Sequence, residues 1–291
     1  PVSLGVGATD VDAVLAPRTA AEQGTLSGIV RSDPGAEPLA GIHVKVARYD
    51  TWAGGWNPVA ETATATDGTY SITLAVGTYR VYFVDPTGNH LNEFYHDGTE
   101  SYWDGLDVVI APSATTTANE GLRTAARIRG TVTADTGGAP LAGVNITVYR
   151  VDPESGYNWI GQAETATDGT YQYGGLTAGD YLVSFNDPNL AYLDEWYDDA
   201  AEAAGSTWVT LADAETREGV DAGRADAGSI GGTITDETSG VPASHVYVQL
   251  YYDYGSWTSE YNSAWSADDG SYLFKGLPPG TYYLRYSDIN S

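Results

Sequence analysis

Aromatic side chains recur at one position in the chain, in the loop that follows each predicted second strand. Glycine and short polar residues flank them, so their flat apolar faces are expected at exposed loop tips. Such faces can stack on sugar rings while nearby Asp and Asn side chains bind hydroxyl groups; alternatively, the rings pack against a neighbouring repeat and stiffen the chain. The candidate carbohydrate-binding residues are Trp52, Trp56, Tyr157, Trp159, Tyr254 and Trp257.

A second recurring stretch, at residues 91–97 and 193–199, combines acidic and aromatic side chains. One interpretation is an acidic aromatic pocket for a cation or a glycan. The other is a crossover segment whose aromatic side chains close one end of a β-sandwich, since clustered Tyr and Trp are usually buried in part. The adjacent Asp194 and Glu195 do not predict a glycosidase, which needs two carboxylates facing each other across a cleft.

The remaining residue types that catalysis uses are not arranged for it. The four histidines lack the spacing of metal ligands, and no serine lies in a Gly-x-Ser-x-Gly turn. The sequence contains no glycine-rich phosphate loop and no cysteine. It therefore predicts a protein that is not an enzyme, with no cofactor and no metal site.

The charge of the chain excludes several partners. Its 291 residues include 39 acidic and 13 basic ones, for a formal net charge of −26. Nucleic acids and anionic membrane surfaces need clusters of Lys and Arg, so neither is an expected partner. No apolar run is long enough for membrane insertion. The chain has no Met, so Pro1 is not an initiator, and we expect a processed or trimmed piece of a longer, extracellular or cell-surface protein.

Three copies of one unit make up most of the chain. A short motif around Gly28 recurs around Gly130 and Gly232, 102 residues apart each time. A unit of this length buries its own core and is therefore a domain. The predicted segments are residues 1–23 (terminal strands resembling the end of a preceding unit), 24–126 (first repeat), 127–227 (second repeat) and 228–291 (third repeat, lacking its last strands).

Each repeat alternates apolar and polar residues, as at Ile42, Val44 and Val46, which indicates strands with one buried face. An Asp-Gly pair, as at Asp67, predicts a hairpin turn. Helix is predicted nowhere except for one short turn at residues 193–197. Short links between repeats predict a semi-rigid, rod-like array. The strands predicted in the first repeat lie near residues 25–31, 41–49, 58–66, 69–74, 77–84, 105–110 and 116–122.

The recurring motifs resemble those of the carboxypeptidase regulatory-like domains, relatives of the Cna B-type and SdrD B-type repeats of bacterial surface proteins. They are Gly-x-Val near the start, Pro-Leu-Ala-Gly before an alternating strand, Thr-Asp-Gly-x-Tyr, and Gly-x-Tyr opening a later strand. The resemblance implies an all-β fold of tandem seven-stranded antiparallel β-sandwiches of the transthyretin-like (prealbumin-like) or Ig-like kind. It also implies non-catalytic roles as stalks, adhesins, pilus parts or modules of secreted hydrolases.

Two properties of this wider group do not carry over. Some members have Lys–Asn isopeptide cross-links, but the counterparts of Lys45 are Thr147 and Gln249, so a systematic cross-link is not expected. Others bind calcium, and the sequence lacks an Asp-x-Asp-x-Asp-Gly loop.

The two ends of the chain complement each other. Residues 2–4 and 8–9 resemble residues 209–211 and 215–216, whereas the third repeat stops where those strands would follow. Either the chain is a piece of a longer array, or residues 1–15 of one chain complete the third repeat of another and form a head-to-tail filament. The candidate strand-donating residues are Val2, Leu4, Thr9 and Val11.

These observations favour a structural or adhesive extracellular repeat protein, a stalk or a filament subunit. Its expected partners are copies of itself or neighbouring repeats. The alternative is a carbohydrate-binding accessory region of a secreted polysaccharide-degrading enzyme, with polysaccharide as the partner.

Overall fold

Strands are the dominant secondary structure of the described residues, which confirms the predicted all-β class. A short 3-10 helix, Ala203–Gly205, interrupts the strands of the second repeat. The computed structural model describes residues 22–50, 54–96 and 104–288.

The chain divides into two compact units. The first spans residues 1–125, and the second spans residues 126–291 and so contains the second and third repeats. The four predicted segment boundaries stay predictions.

The first repeat is a sandwich of two sheets. Its strands are β1 Gln23–Asp33, β2 His43–Asp50, β3 Gly55–Ala63, β4 Thr69–Ala75, β5 Gly77–Val84, β6 Glu93–Phe94, β7 Val108–Ile110, β8 Thr115–Thr117 and β9 Glu120–Arg123. In one sheet β1 lies between β4, which is antiparallel to it, and the parallel strands β8 and β9. The other sheet has the order β3-β2-β5-β6, and β7 also pairs with β5.

The second repeat has the same arrangement. Its strands are β10 Ala126–Ala134, β11 Asn145–Asp152, β12 Gly156–Glu164, β13 Thr170–Leu176, β14 Gly179–Asn186, β15 Glu195–Trp196, β16 Val209–Leu211, β17 Thr216–Arg217 and β18 Ala222–Arg224. Here β10 lies between β13 and the parallel strands β17 and β18. The second sheet has the order β12-β11-β14-β15, and β16 also pairs with β14.

The third repeat contains fewer strands among the described residues. Its strands are β19 Gly228–Thr233, β20 Tyr247–Asp253, β21 Thr258–Trp265, β22 Ser271–Leu277 and β23 Tyr282–Ser287. They form the sheets β19-β22 and β21-β20-β23. Counterparts of β15 to β18 do not occur in the described part of this repeat.

The predicted alternation places the core correctly. Ile42, Val44 and Val46 are 2%, 0% and 0% exposed, and Val248 and Leu250 in the third repeat are fully buried. Apolar side chains from both sheets meet between them, so each buried strand face is the one that the period-two pattern predicts.

The Asp-Gly turns form, but they do not close hairpins within a sheet. Gly68 has a φ of +76° and its N–H donates to the Ala65 carbonyl, as a tight turn requires. After one further hydrogen bond the strands separate, because β3 pairs with β2 in one sheet and β4 pairs with β1 in the other. The hairpin prediction is therefore wrong in its pairing: these turns connect the two layers of the sandwich.

The short helical turn predicted at residues 193–197 is also wrong. Glu195–Trp196 forms strand β15, with Trp196 opposite Ser184 and Glu195 opposite Phe185 on β14. The edge of β14 offers unpaired backbone groups, and pairing with them satisfies this segment better than a single isolated helical turn.

The last predicted strand of the first repeat, 116–122, is split. It consists of β8 and β9, and the ladder breaks at Ala118 and Asn119. The same break separates β17 from β18 in the second repeat.

Candidate functional site

The last strand is interrupted between β8 and β9 in the first repeat and between β17 and β18 in the second. At each interruption a backbone carbonyl reaches the core. In the second repeat the hydroxyl of Tyr171, on β13, donates a 2.7 Å hydrogen bond to the carbonyl of Val220. In the first repeat Tyr70 donates a 2.6 Å hydrogen bond to the carbonyl of Ala118. Burial raises the pKa of the Tyr171 hydroxyl well above its ordinary value, so the group remains a donor.

A glycine makes room for each of these carbonyls. A Cβ at Gly130, on β10, would lie 2.0 Å from the Val220 oxygen, and one at Gly28 would lie 1.9 Å from the Ala118 oxygen. No side chain tolerates such a distance. Each complete repeat thus contains a carbonyl slot, formed by a glycine of the first strand and a tyrosine of the strand beside it.

The side chain of the residue that follows this carbonyl accepts a hydrogen bond from a backbone amide of the first strand of the repeat. The Asp221 carboxylate accepts a 2.7 Å hydrogen bond from the Thr131 amide, and the Asn119 side-chain oxygen accepts one of 2.9 Å from the Ile29 amide. These side chains satisfy a backbone N–H at the point where the parallel ladder is interrupted.

The third repeat has the glycine and the tyrosine of the carbonyl slot, but no backbone carbonyl of the described residues lies between them. Gly232 and Tyr272 occupy the equivalent positions, and β19 pairs with β22 on one side only among the described residues. A Cβ at Gly232 would meet the Tyr272 ring and hydroxyl, the latter at 2.8 Å, rather than a backbone oxygen. The Tyr272 hydroxyl lies 2.8 Å from the hydroxyl of Tyr286, and burial together with this contact raises its pKa to about 12.

The core of the third repeat is open beside this edge. Ile128 and Val132 of the second repeat are fully buried, but their counterparts Ile230 and Ile234 are only partly buried. The counterpart of the fully buried Phe185 is Tyr286, which is 49% exposed. Apolar surface that the second repeat covers is therefore accessible in the third.

A groove of about 490 Å³ lies in the third repeat, lined by residues in or next to β19, β22 and β23. Gly280 and Tyr282 line it, and their counterparts in the second repeat, Gly179 and Tyr181, pair with Leu211 and Val209 of β16. In that repeat Val209 and Leu211 are 1% and 3% exposed and belong to the core. The groove is thus the space that β16 fills in a complete sandwich. Residues that line the groove are Asp226, Ala227, Gly228, Ser229, Ile230, Leu277, Pro278, Pro279, Gly280 and Tyr282.

The candidate strand-donating residues belong to the first segment of the chain. Val2, Leu4, Thr9 and Val11 lie outside the described residues. Their donation into the third repeat stays a prediction.

The candidate carbohydrate-binding residues do not form one site. Trp52 lies outside the described residues, and Trp56 packs edge-on against Tyr49 under the Arg80 guanidinium, 5.0 Å from the ring. Tyr157 contacts Tyr149 and Trp196 on the same sheet.

The other aromatic tips are more exposed. Trp159 is 63% exposed. Tyr254 and Trp257 stack on each other with centroids 4.3 Å apart and planes 11° apart, and they are 49% and 57% exposed. Each of these two tips presents a flat apolar face to solvent, whereas Trp56 is partly covered.

The acidic stretch of the second repeat surrounds a buried guanidinium. Arg224 is 0% exposed, donates to the Leu193 carbonyl and lies 3.5 Å from the Asp194 carboxylate. Burial raises the pKa of Glu195 to about 7, with Asp199 and Asp135 adding to the effect and Arg224 opposing it. The acidic side chains of this stretch thus lie beside a buried guanidinium of the chain itself, while the Asp194 side chain is 54% exposed.

Two absences hold for the described part of the chain. Within it, no group of three or more His, Asp or Glu residues could hold a metal ion. No helix there is long and apolar enough to cross a membrane.

Comparison with known proteins gives distant structural similarity alone. No family model and no curated protein matches the chain. Among solved structures, the chain is similar to the Bacillus anthracis TIE protein, with 16% identity and a TM-score of 0.29 over 92% of this chain and 46% of that one. It thus spans less than half the length of that protein.

Two pilins are also similar. A streptococcal ancillary pilin matches with 12% identity and a TM-score of 0.35 over 91% of this chain and 90% of that one. The shaft pilin SpaA from Lactobacillus rhamnosus GG matches with 11% identity and a TM-score of 0.35 over 71% of this chain and 98% of that one. Similarity this low carries no conclusion about the function of this chain.

Proposed function

We propose that this chain is a non-catalytic structural protein of the cell surface or the extracellular space, a stalk or filament subunit built from β-sandwich repeats. One observation carries the proposal: the third repeat leaves open an edge and a groove that the strands of the second repeat fill within the chain. An exposed strand edge beside uncovered core is a template for adding a strand from elsewhere.

The strands that complete the third repeat come from residues 1–15 of another copy. Val2 and Leu4 have the spacing of Val209 and Leu211, which fill the equivalent groove in the second repeat. This contact joins two different surfaces of the chain, so it propagates from copy to copy without closing. The product is a head-to-tail filament.

Mass in solution tests this function. Light scattering of the full chain at increasing concentration should show masses well above one chain, and negative-stain images should show filaments of uniform width. The variant Val2→Asp/Leu4→Asp should remain at one chain mass, because it would place carboxylates in an apolar groove.

The variant Ser3→Asp is the matched control. The counterpart of Ser3 is Thr210, which is exposed, so a carboxylate there should leave assembly intact. A wild-type chain that stays at one chain mass at all concentrations contradicts the filament, and equal assembly of all three proteins contradicts the donor segment.

A second candidate function is polysaccharide binding by the aromatic tips. The exposed Trp159 and the stacked pair Tyr254 and Trp257 support it, because flat aromatic faces of this kind bind sugar rings. Titration with soluble glucans should quench Trp fluorescence in the wild type, with a smaller response in Trp159→Ala and Trp257→Ala. The control is Trp265→Ala, which removes a ring that is 49% exposed and lies away from the tips; an equal loss in all three variants contradicts a site at the tips.

A further inference from the structure

A groove of about 540 Å³ lies on the second repeat, between the tip of the β11–β12 hairpin and the segment that contains the 3-10 helix. Two exposed aromatic rings line it, since Tyr157 is 46% exposed and Trp208 is 56% exposed. Leu182 also lines the groove and is only 3% exposed, as a residue at its floor would be. The groove therefore combines a buried apolar floor with two flat faces that are open to solvent.

In the first repeat a cation occupies the corresponding position. The Arg80 guanidinium lies 5.0 Å from the centre of the Trp56 ring and forms an ion pair with the Asp107 carboxylate. The Arg80 side chain is 14% exposed, so its charge lies largely against these neighbours. An aromatic face and a carboxylate both attract a guanidinium, and together they hold it in place.

The second repeat has shorter side chains at the two positions that fill this space in the first. The strand registers align Leu182 with Arg80 and Val151 with Tyr49, which packs against the Trp56 ring. Leu182 carries no charge, and neither replacement extends as far as the side chain of the first repeat. The groove is thus the space that the first repeat fills with its own guanidinium and tyrosine ring.

The groove keeps the features that attract such a cation. Tyr157 is the counterpart of Trp56, so an aromatic ring is retained, and Trp208 adds a second. Glu202 also lines the groove and supplies a carboxylate, whereas no Lys or Arg belongs to the described residues that line it. Flat rings beside a carboxylate favour a guanidinium over an ammonium, because the guanidinium is planar and more weakly hydrated.

We propose that this groove binds an arginine side chain of a partner polypeptide. The guanidinium lies against the rings of Tyr157 and Trp208 and donates hydrogen bonds to the Glu202 carboxylate. The groove is larger than one side chain, so it also takes the extended backbone on either side of the arginine. All of these residues belong to the second repeat, and the site does not depend on the proposed filament.

Binding of a fluorescein-labelled hexa-arginine peptide to the full chain, followed by fluorescence anisotropy, tests the proposal. The buffer contains about 150 mM salt, which screens exposed charges more than about 8 Å apart. A hexa-lysine peptide of the same charge controls for general attraction to a chain with a net charge of −26. The wild type should bind the arginine peptide at least about fivefold more tightly than the lysine peptide.

Substitutions on the two sides of the groove locate the site. Trp208→Ala should weaken binding of the arginine peptide by about fivefold to tenfold, because one of the two rings is lost. The matched control is Trp159→Ala, which removes a ring that is 63% exposed but does not line the groove, and it should leave the affinity unchanged. Glu202→Gln should also weaken binding, and Glu164→Gln, which removes an exposed charge elsewhere on the repeat, should not.

Leu182→Arg gives the second repeat a guanidinium of its own. It restores the arrangement of the first repeat, where Arg80 lies against an aromatic ring, so this variant should no longer bind the arginine peptide. Its circular dichroism and thermal unfolding should remain close to those of the wild type. If the variant unfolds instead, Trp208→Ala and Glu202→Gln still decide the question, because both change exposed side chains.

Three results would overturn the proposal. One is equal binding of both peptides with no effect of Trp208→Ala, which is attraction by net charge alone. The second is the absence of arginine-peptide binding. The third is binding of a soluble glucan that Trp208→Ala abolishes, without binding of the arginine peptide, because the groove is then a sugar site. The proposed filament is judged by the mass of the chain and stands or fails separately.

Discussion

The hydroxyl of Tyr181 donates a 2.8 Å hydrogen bond to the carbonyl of Thr177, four residues earlier in the chain. The same contact joins Tyr79 to Ala75 in the first repeat and Tyr282 to Pro278 in the third. It fixes the corner where the chain passes from one sheet to the other, so the Gly-x-Tyr motif has a structural role beyond opening a strand.

Tyr181→Phe should therefore destabilise the second repeat. The variant keeps the ring but leaves the Thr177 carbonyl without this donor, which costs about 1 kcal/mol in the free energy of unfolding. Urea unfolding followed by Trp fluorescence measures the loss. Tyr283→Phe removes an exposed hydroxyl that bonds to Asp253, and this control should shift stability by less than about 0.5 kcal/mol.

The glycines of the carbonyl slots should respond differently in the second and third repeats. Gly130→Ala places a methyl group 2.0 Å from the Val220 oxygen, and the forced shift should cost about 2–3 kcal/mol. Gly232→Ala meets only the side chain of Tyr272, so it should change the melting of the unassembled chain little. Equal losses for the two variants would contradict an empty slot in the third repeat.

The Asp-Gly turns allow a second paired test by thermal unfolding. Gly169 has a φ of +76°, and a Cβ there would lie 2.6 Å from the Val132 carbonyl oxygen. Gly138 has a φ of +65° with nothing within 4 Å of its Cβ position. Gly138→Ala should cost only the backbone strain, about 1 kcal/mol, and Gly169→Ala should cost at least about twice as much. If Gly169→Ala loses no more stability than Gly138→Ala, the turn shifts at little cost to make room for the methyl group.

The sequence predicts local features of this fold well. The alternation at Ile42, Val44 and Val46 predicts their burial, and the glycine of each Asp-Gly pair predicts a turn, because both depend on neighbouring residues alone. The sequence does not predict that these turns join different sheets. Whether a turn joins strands of one sheet or of two depends on the strands with which its two flanking strands pair, and β4 pairs with β1, which is not its neighbour in the sequence.

The carbonyl slot was missed for a related reason. Tyr171 and Val220 are 49 residues apart in sequence, and no local pattern relates a tyrosine hydroxyl to a distant backbone carbonyl. A signal was nevertheless present. Gly28, Gly130 and Gly232 recur within strands, where glycine is unfavourable and often marks the close approach of another backbone.

The pH dependence of stability provides the last test. Burial raises the pKa of Glu195 to about 7 in the folded chain, above the ordinary 4.5. Between these two values the folded state binds a proton that the unfolded state has released. The contribution of Glu195 to stability is therefore greatest below pH 4.5 and declines as the pH rises to about 7.

Glu195→Gln should flatten this decline, so that the variant gains stability relative to the wild type as the pH rises from 5 to 7.5. Urea unfolding at several pH values in this window measures the difference. Asp187 does not interfere, because the amides of Asn189, Ala191 and Tyr192 outweigh the effect of burial and lower its pKa, so its contribution is lost only in more acidic solution.

The matched control is Glu164→Gln, which removes the same charge from an exposed position on β12. Its stability should run parallel to that of the wild type across the window. If Glu195→Gln also runs parallel, Glu195 is charged in the folded chain at neutral pH, and the buried Arg224 then outweighs the effect of burial.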